Sequence, residues 1–194
     1  MQESPVTQVG PLVQGLYDAL VELTDVPFVV FGHSVGALIG FEFIRELRRQ
    51  GNHLLRGLVV SGSSAPQLSD HDPQIHSLPE PEFIEKLRAF EGTPPEILDN
   101  PEIRQLFLPV LRSDFALREH YTYEVEPPLS CPIVAFGGVS DHEVSQARLE
   151  AWCEQSTDRF TVSMFSGGHF FLHTARALVL QQLRNVLDDC LQEV

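Results

Sequence analysis

Three residues far apart in the chain could together make an alcohol nucleophilic: Ser34, Asp141 and His169. A serine hydroxyl is a poor nucleophile at neutral pH. It needs an imidazole in hydrogen-bond reach to take its proton, and a third group to orient that imidazole. Ser34 stands in Gly32-His33-Ser34-Val35-Gly36, directly after the apolar run Phe28 to Phe31. That run is short, aromatic and β-branched, as in a strand buried on both faces. The following "GALIGFEFIRELRRQG" has arginines in its last turn and Gly51 as a stop, which reads as a helix. A serine at such a strand-to-helix turn has a strained backbone that projects its oxygen above the sheet. The flanking glycines are expected because a Cβ at either would strike the strand–helix packing. The plainer alternative is a glycine-rich helix start with an N-capping serine.

In open parallel sheets, ligands sit beyond the carboxyl ends of the strands. The partners of Ser34 are therefore sought after the later strand-like runs. "CPIVAFGG" is followed by "VSDHEV", which offers Asp141, and "RFTVSMFSGG" is followed by His169. The chain order Ser34, Asp141, His169 is the order of an α/β-hydrolase triad. His142 adjoins Asp141 but lacks the glycine pair that lets a loop bend into a site. His33 adjoins the nucleophile, where side chains of neighbouring residues point apart, and reads as packing. His173 precedes the last helix and could cap or pack. Asp114 in "LRSDF" could replace Asp141, but lies in a proline-rich stretch. Asp141 itself could be a plain helix N-cap, a role it would combine with orienting a histidine only with difficulty.

The elements that must position these residues alternate in type. Val13, Leu16, Tyr17 and Leu20 recur at helical spacing over about residues 11–23. Strands are predicted at Phe28 to Phe31, Leu54 to Ser63, Cys131 to Gly138 and in "RFTVSMFSGG". Helices are predicted after the Ser34 turn, in "EVSQARLEAWCEQS" and in "TARALVLQQLRNVLDDCL", where Val179, Leu183, Val186, Leu187 and Cys190 share one face. Strands alternating with helices imply an α/β fold with a mostly parallel sheet. Between Ala65 and Pro128 the composition changes to proline-punctuated amphipathic pieces, a helical insertion whose prolines start or stop each piece. The expectation is one domain, with a core of residues 1–64 and 129–194 and an insertion of about 65–128.

The chain has 194 residues, 43% of them hydrophobic, enough for one domain with a core. No apolar run is long enough to span a membrane. The start "MQESPVTQVGP" lacks a basic segment followed by an apolar stretch, so no signal peptide is expected. Cys131, Cys153 and Cys190 lack metal spacing and read as reduced, buried thiols of a cytoplasmic protein. The net charge of -14 argues against nucleic acid or an anionic membrane as a partner.

On "FGHSVGA", "EGTPPEILDNPE", "LPVLRSDFALREHYTYE", "CPIVAFGGVSDHEV" and "AWCEQSTDRFTVSMFSGGHFFL", the chain resembles the type II thioesterases of nonribosomal peptide and polyketide synthases. The resemblance covers nearly all of Pro27 to Leu191. It implies an α/β-hydrolase fold whose insertion is a helical lid. The implied reaction is hydrolysis of an acyl thioester on the phosphopantetheine arm of an acyl or peptidyl carrier protein. Ser34 would be the nucleophile, His169 the base, Asp141 its orienting group and the Val35 N–H an oxyanion donor. No metal or bound cofactor is implied. Phe107, Leu108, Leu111 and Phe115 recur at helical spacing and could line an acyl pocket or serve equally as lid packing. Arg45, Arg48, Arg49, Arg112 and Arg118 could meet an acidic carrier or make internal ion pairs.

The family also carries upstream strands and a loop that supplies a second oxyanion N–H, and nothing before Ser34 matches them. The chain as written is therefore expected to be truncated relative to the family and poorly active. The cause could be a misassigned start, strands donated by another chain, or a remnant that has lost activity. Two other functions compete: a serine esterase or lipase on small esters, and a non-catalytic module that binds a carrier protein.

Overall fold

The computed structural model describes residues 5–68, 74–90 and 92–192, which fall into two compact units. One unit combines residues 12–69 with 123–194, and the other combines residues 1–11 with 70–122.

The larger unit is built on four parallel strands, β1 (Phe28–His33), β2 (Leu55–Ser61), β3 (Ile133–Gly138) and β4 (Phe160–Phe165). They lie side by side in the order β1-β2-β3-β4, so β1 is an edge strand among the described residues. The α/β expectation with a mostly parallel sheet holds. Helix α1 (Val9–Leu20) starts in the smaller unit and leads towards β1, through one turn of 3-10 helix at Val21–Thr24. Helix α2 (Val35–Arg49) leaves β1 directly.

Alternate residues of each strand face opposite ways, as the pleat requires. Leu58, Val60, Ile133 and Ala135 pack with Ala37, Phe41 and Ile44 of α2 and with Trp152. Val59, Val134, Phe136 and Phe165 belong to a second core. It is covered by Phe171, Val179, Val186 and Cys190 from the last two helices of the chain. Both faces of β2 and β3 are buried, which is why those strands read as continuous apolar runs rather than alternating ones. Contrary to the expectation of a strand buried on both faces, β1 at the edge is mostly half-buried and Phe31 is 40% exposed, because it has only one neighbouring strand among the described residues.

The smaller unit contains α3 (Glu80–Ala89), α4 (Pro95–Asp99) and α5 (Pro101–Glu119). Its core is Ile75, Phe83, Leu87, Leu98 and Leu108. Pro95 and Pro101 open their helices and Pro81 sits in the first turn of α3, where a missing N–H costs nothing. Pro109 breaks the expected rule and lies inside α5. The helix continues because Leu108, Ser113, Ala116 and Leu117 bury its face, and packing outweighs one lost hydrogen bond. The start of the chain belongs to this unit: the Ser113 hydroxyl donates to the Val6 carbonyl, and His120 Nδ1 donates to the Thr7 carbonyl at 3.3 Å.

The larger unit closes with α6 (Gln146–Glu150), a 3-10 turn at Ala151–Gln155, α7 (Phe171–Thr174) and α8 (Arg176–Gln192). The predicted helix 143–156 is thus shorter and partly 3-10. Cys131 and Cys190 are buried, but Cys153 is exposed, contrary to expectation. It lies in the 3-10 turn, which sends Trp152 inward and its neighbour outward. Burial pushes the Cys131 thiol up to about 12. No helix among the described residues is long and apolar enough to cross a membrane.

The arginines at the end of α2 make internal contacts. Arg45, 2% exposed, pairs with Glu42 at 2.7 Å and Glu126 at 2.8 Å, and donates to the Glu124 carbonyl at 2.7 Å. Arg48 donates to Glu126 and to the carbonyls of Pro127 and Pro128, and Arg49 pairs with Glu126 and Glu46. In the smaller unit, Arg112 donates to the His76 carbonyl and lies 4.3 Å over the Phe83 ring. Arg118 of that unit is half-buried. Burial pushes the Glu126 carboxyl up, but hydrogen bonds from Arg48 and Arg45 more than offset it and hold it below its ordinary value.

Glu126→Gln should therefore lower stability by about 1–3 kcal/mol at neutral pH, the range for hydrogen bonds to charged groups. A carboxyl lowered in the folded state contributes stability above its unfolded value and loses it as pH falls through the folded one. The difference between wild type and variant in urea unfolding should shrink as pH drops below about 4.

Candidate active site

Ser34 follows β1 and precedes α2 with φ 53 and ψ -125. Among the described residues it is the only non-glycine residue with positive φ. Such a backbone costs on the order of 1–3 kcal/mol and persists only where surroundings over-determine it. The Ser34 N–H donates to the Ser61 carbonyl at 2.8 Å, and the Ala37 N–H donates to the Ser34 carbonyl at 3.0 Å. Although Ser34 occupies the N-cap position of α2, its side chain makes no capping hydrogen bond. The plainer N-cap reading therefore fails, and the hydroxyl is not consumed by the helix.

The glycines around Ser34 do not share one role. A Cβ on Gly32 would lie 2.2 Å from the Gly36 carbonyl oxygen and 2.6 Å from Ala37 Cα. A Cβ on Gly36 would meet nothing within 4 Å, which overturns the expectation for that position. The second close approach of α2 to the sheet is at Gly40, where an added Cβ would lie 3.0 Å from Val30 Cγ1. One helical turn beyond Gly36 the helix faces the strand again, and a side chain there would press on Val30.

Asp141 follows β3 and His169 follows β4. His169 Nδ1 donates to Asp141 Oδ2 at 2.9 Å. The Asp141 side chain is fully buried and that of His169 is 7% exposed. The other carboxylate oxygen, Oδ1, accepts the N–H groups of Glu143 at 2.8 Å and Val144 at 3.1 Å. Asp141 thus organises its turn and orients the imidazole at once, one oxygen for each, which sequence reasoning had held to be difficult. The cap of α6 falls to Ser145 instead. Burial pushes the Asp141 carboxyl up, but the hydrogen bonds from His169, Glu143 and Val144 outweigh it and hold the group ionised. With its proton committed to Asp141, the neutral imidazole keeps the lone pair on Nε2 to accept another. Glu143 Oε2 lies 4.0 Å from that nitrogen.

The loops are brought together by glycine. A Cβ on Gly138, at the end of β3, would lie 2.2 Å from the Gly168 carbonyl oxygen. Gly167 takes φ +124, a left-handed value open to glycine. The Gly167-Gly168 pair thus bends the chain so that His169 returns over β3.

His33 does more than pack. Its ring lies 5.1 Å from the His169 ring and 5.9 Å from those of Phe170 and Phe171. His33 Nδ1 and Ser61 Oγ share a hydrogen bond of 2.9 Å, and the buried Nε2 has no partner. A Cβ on Gly62 would meet His33 Cε1 at 2.8 Å and His169 Cε1 at 3.3 Å. Burial, with repulsion from His169, lowers the His33 pKa to about 4, so His33 is neutral beside His169. Ser61, Gly62 and Glu143 were missed in the sequence. The signal for the first two was the small polar ending of "VVSGS", since the carboxyl end of every strand in a parallel sheet faces the same rim.

The remaining candidates are placed elsewhere. His142 and His173 are exposed, and Asp114 is exposed on α5. Leu111 and Phe115 pack on the core of the smaller unit, with Phe115 5.8 Å from Phe83 and 5.5 Å from Phe90, while Phe107 is 40% exposed. Val35 is the first residue of α2, where a helix leaves its N–H without an intrahelical partner. Among the described residues no group of three or more His, Cys, Asp or Glu side chains is placed to hold a metal ion.

A thioesterase-domain family model matches residues 1–189. The chain is 40% identical over 189 residues to the gramicidin S biosynthesis protein GrsT of Aneurinibacillus migulanus, covering 95% of this chain and 74% of that one. Among solved structures, it is similar to the RedJ thioesterase from the prodiginine pathway of Streptomyces coelicolor. That match has a TM-score of 0.88 and 35% identity, and covers 95% of this chain and 74% of RedJ. It is also similar to the type II thioesterase BorB from the borrelidin cluster, with a TM-score of 0.83 and 31% identity, over 95% of this chain and 73% of BorB.

Two outcomes follow from the geometry. Gly32→Ala should cost more than about 3 kcal/mol or leave no folded protein, because the obstacle is backbone. Gly36→Ala should change stability by at most about 1 kcal/mol, in the stabilising direction expected of alanine in a helix. Urea unfolding of both variants distinguishes the positions. Separately, a histidine whose pKa is about 4 folded and 6.5 unfolded binds fewer protons when folded, so stability should fall as pH drops through that window. His33→Gln should flatten this slope in urea midpoints measured from pH 7 to 4.

Proposed function

The chain belongs to the thioesterase-domain family, and from that premise we propose that it hydrolyses acyl thioesters carried on the phosphopantetheine arm of a carrier protein. Its relatives work in gramicidin S, prodiginine and borrelidin biosynthesis, so the partner we propose is an acyl or peptidyl carrier protein of such a synthase, in the cytoplasm. The task is the removal or release of acyl groups from the synthase.

The observation that carries the mechanism is the 2.9 Å hydrogen bond between His169 and Asp141, at the same sheet rim as the strained Ser34. Ser34 Oγ attacks the thioester carbonyl while His169 Nε2 takes its proton. Asp141 holds the imidazole in the right tautomer and supports its positive charge. The Val35 N–H receives the developing oxyanion, an interaction worth about 10²–10³ in rate where one such donor has been removed. The thiol leaves with the proton from Nε2, and water then releases the acid from Ser34. No metal or bound cofactor takes part in this scheme; the phosphopantetheine belongs to the substrate. Phe107, Leu111 and Phe115 remain the residues proposed to meet the acyl chain. Phe107 is the most exposed of the three, and the other two already support the core of the helical unit.

Intact mass after exposure to a fluorophosphonate should show one adduct, absent from Ser34→Ala. Hydrolysis of an acyl-pantetheine thioester should fall at least about 10⁴-fold in that variant. Asp141→Asn should lose about 10⁴-fold through the wrong tautomer. A folded wild type without an adduct would count against the mechanism. Faster turnover of the matching oxygen ester would favour a serine esterase instead.

A further inference from the structure

We propose that Glu143 is a catalytic residue of the second half-reaction, holding the water that attacks the acyl-enzyme. The inference rests on the reading of Ser34 as the acylated nucleophile. The Glu143 carboxylate oxygen Oε2 lies 4.0 Å from His169 Nε2. That nitrogen is the working one, because Nδ1 is bonded to Asp141. The separation is too long for a direct hydrogen bond. It suits a single bridging water, which at about 2.8 Å from each atom would subtend an angle of roughly 90° between them. The position of Glu143 is not accidental to the loop: its own N–H donates to Asp141 Oδ1 at 2.8 Å, so the residue that orients the base also anchors Glu143. Its side chain is 23% exposed, which leaves the carboxylate reachable by water.

A water bridging these atoms directs one O–H at the Nε2 lone pair and the other at the carboxylate. Its lone pairs are left for the acyl carbonyl carbon. In deacylation the water oxygen bonds to that carbon as one of its protons passes to Nε2. The tetrahedral intermediate then collapses, the bond from carbon to Ser34 Oγ breaks, and Oγ takes the proton back from Nε2. The products are the free acid and the serine alcohol, and Glu143 stays ionised throughout. In acylation the proton reaching Nε2 comes from Ser34 itself, so no water has to be held. Glu143 should therefore matter to one half-reaction and not to the other.

The test separates those steps with a p-nitrophenyl carboxylate ester. The stopped-flow burst reads acylation, and loss of acyl mass from preloaded enzyme reads deacylation. Glu143→Leu removes the acceptor at similar size and should slow deacylation about 10- to 100-fold, within the range for positioning a reactant. Glu143→Gln retains a weaker acceptor and should fall between Leu and wild type. Acylation rates and urea midpoints should stay within twofold of wild type, and hydroxylamine, a nucleophile less in need of positioning, should restore turnover in Glu143→Leu. Deacylation unchanged in both variants would overturn the proposal. Equal loss in both half-reactions would also overturn it, since Glu143 would then only steady the imidazolium. Absence of any acyl-enzyme in wild type would instead bring down the Ser34 reading on which it stands.

Discussion

Everything at the carboxyl rim of the sheet is arranged around a serine backbone that is held where serine does not rest. A φ of 53 with ψ -125 is reached because β1 stops at His33 and α2 starts at Val35, with Ser34 alone between them to absorb the turn. Two local hydrogen bonds, to Ser61 and from Ala37, hold the turn from both sides. Gly32 then permits what they demand, since any side chain there would occupy the backbone of Gly36 and Ala37. The sheet supplies the rigidity. The buried strand β2 pairs with β1 from Phe28 to His33 and leaves it little room to relax the strain. Strain held by a rigid scaffold keeps the hydroxyl presented and out of the helix hydrogen-bond ladder.

The same rim shows how a few residues serve two functions. Asp141 divides its oxygens between the turn that follows β3 and the imidazole that follows β4. Two strands are thereby joined through one carboxylate, and the His169 ring cannot shift without disturbing the loop. His33 lies against His169 as a neutral ring, tied to Ser61 and screened by Phe170 and Phe171. A neutral ring there excludes water from His169 without placing a second charge beside it.

The charge of -14 is not spread evenly in its consequences. The arginines of the α2 C-terminus are bound to Glu42, Glu46, Glu126 and three backbone carbonyls of residues 124–128. They fasten the returning chain to the helix that begins just after Ser34. Any docking of an acidic carrier has to use short-range contacts, since the overall field repels it.

Much of this was legible from the chain alone, because it depends on local order. The apolar runs fixed where strands lie, Gly32-His33-Ser34 marked the sharp turn, and the positions of Asp141 and His169 after later strands placed them at one rim. Parallel strands guarantee that convergence whatever the details of packing. Side-chain geometry was not legible. Gly36 and Gly40 look alike in sequence, and only the rotation of α2 against β1 decides which one touches Val30. Pro109 reads as a helix boundary, and burial of the α5 face overrides it. Arg45 in sequence could meet a partner or make internal ion pairs, and it is 2% exposed because Glu126 returns to it from 81 residues away. The roles of Ser61, Gly62 and Glu143 arise from distances between loops that the sequence does not encode one residue at a time. Local pattern determined the kind of fold and the candidates for its chemistry; the packing of distant segments determined what each candidate touches.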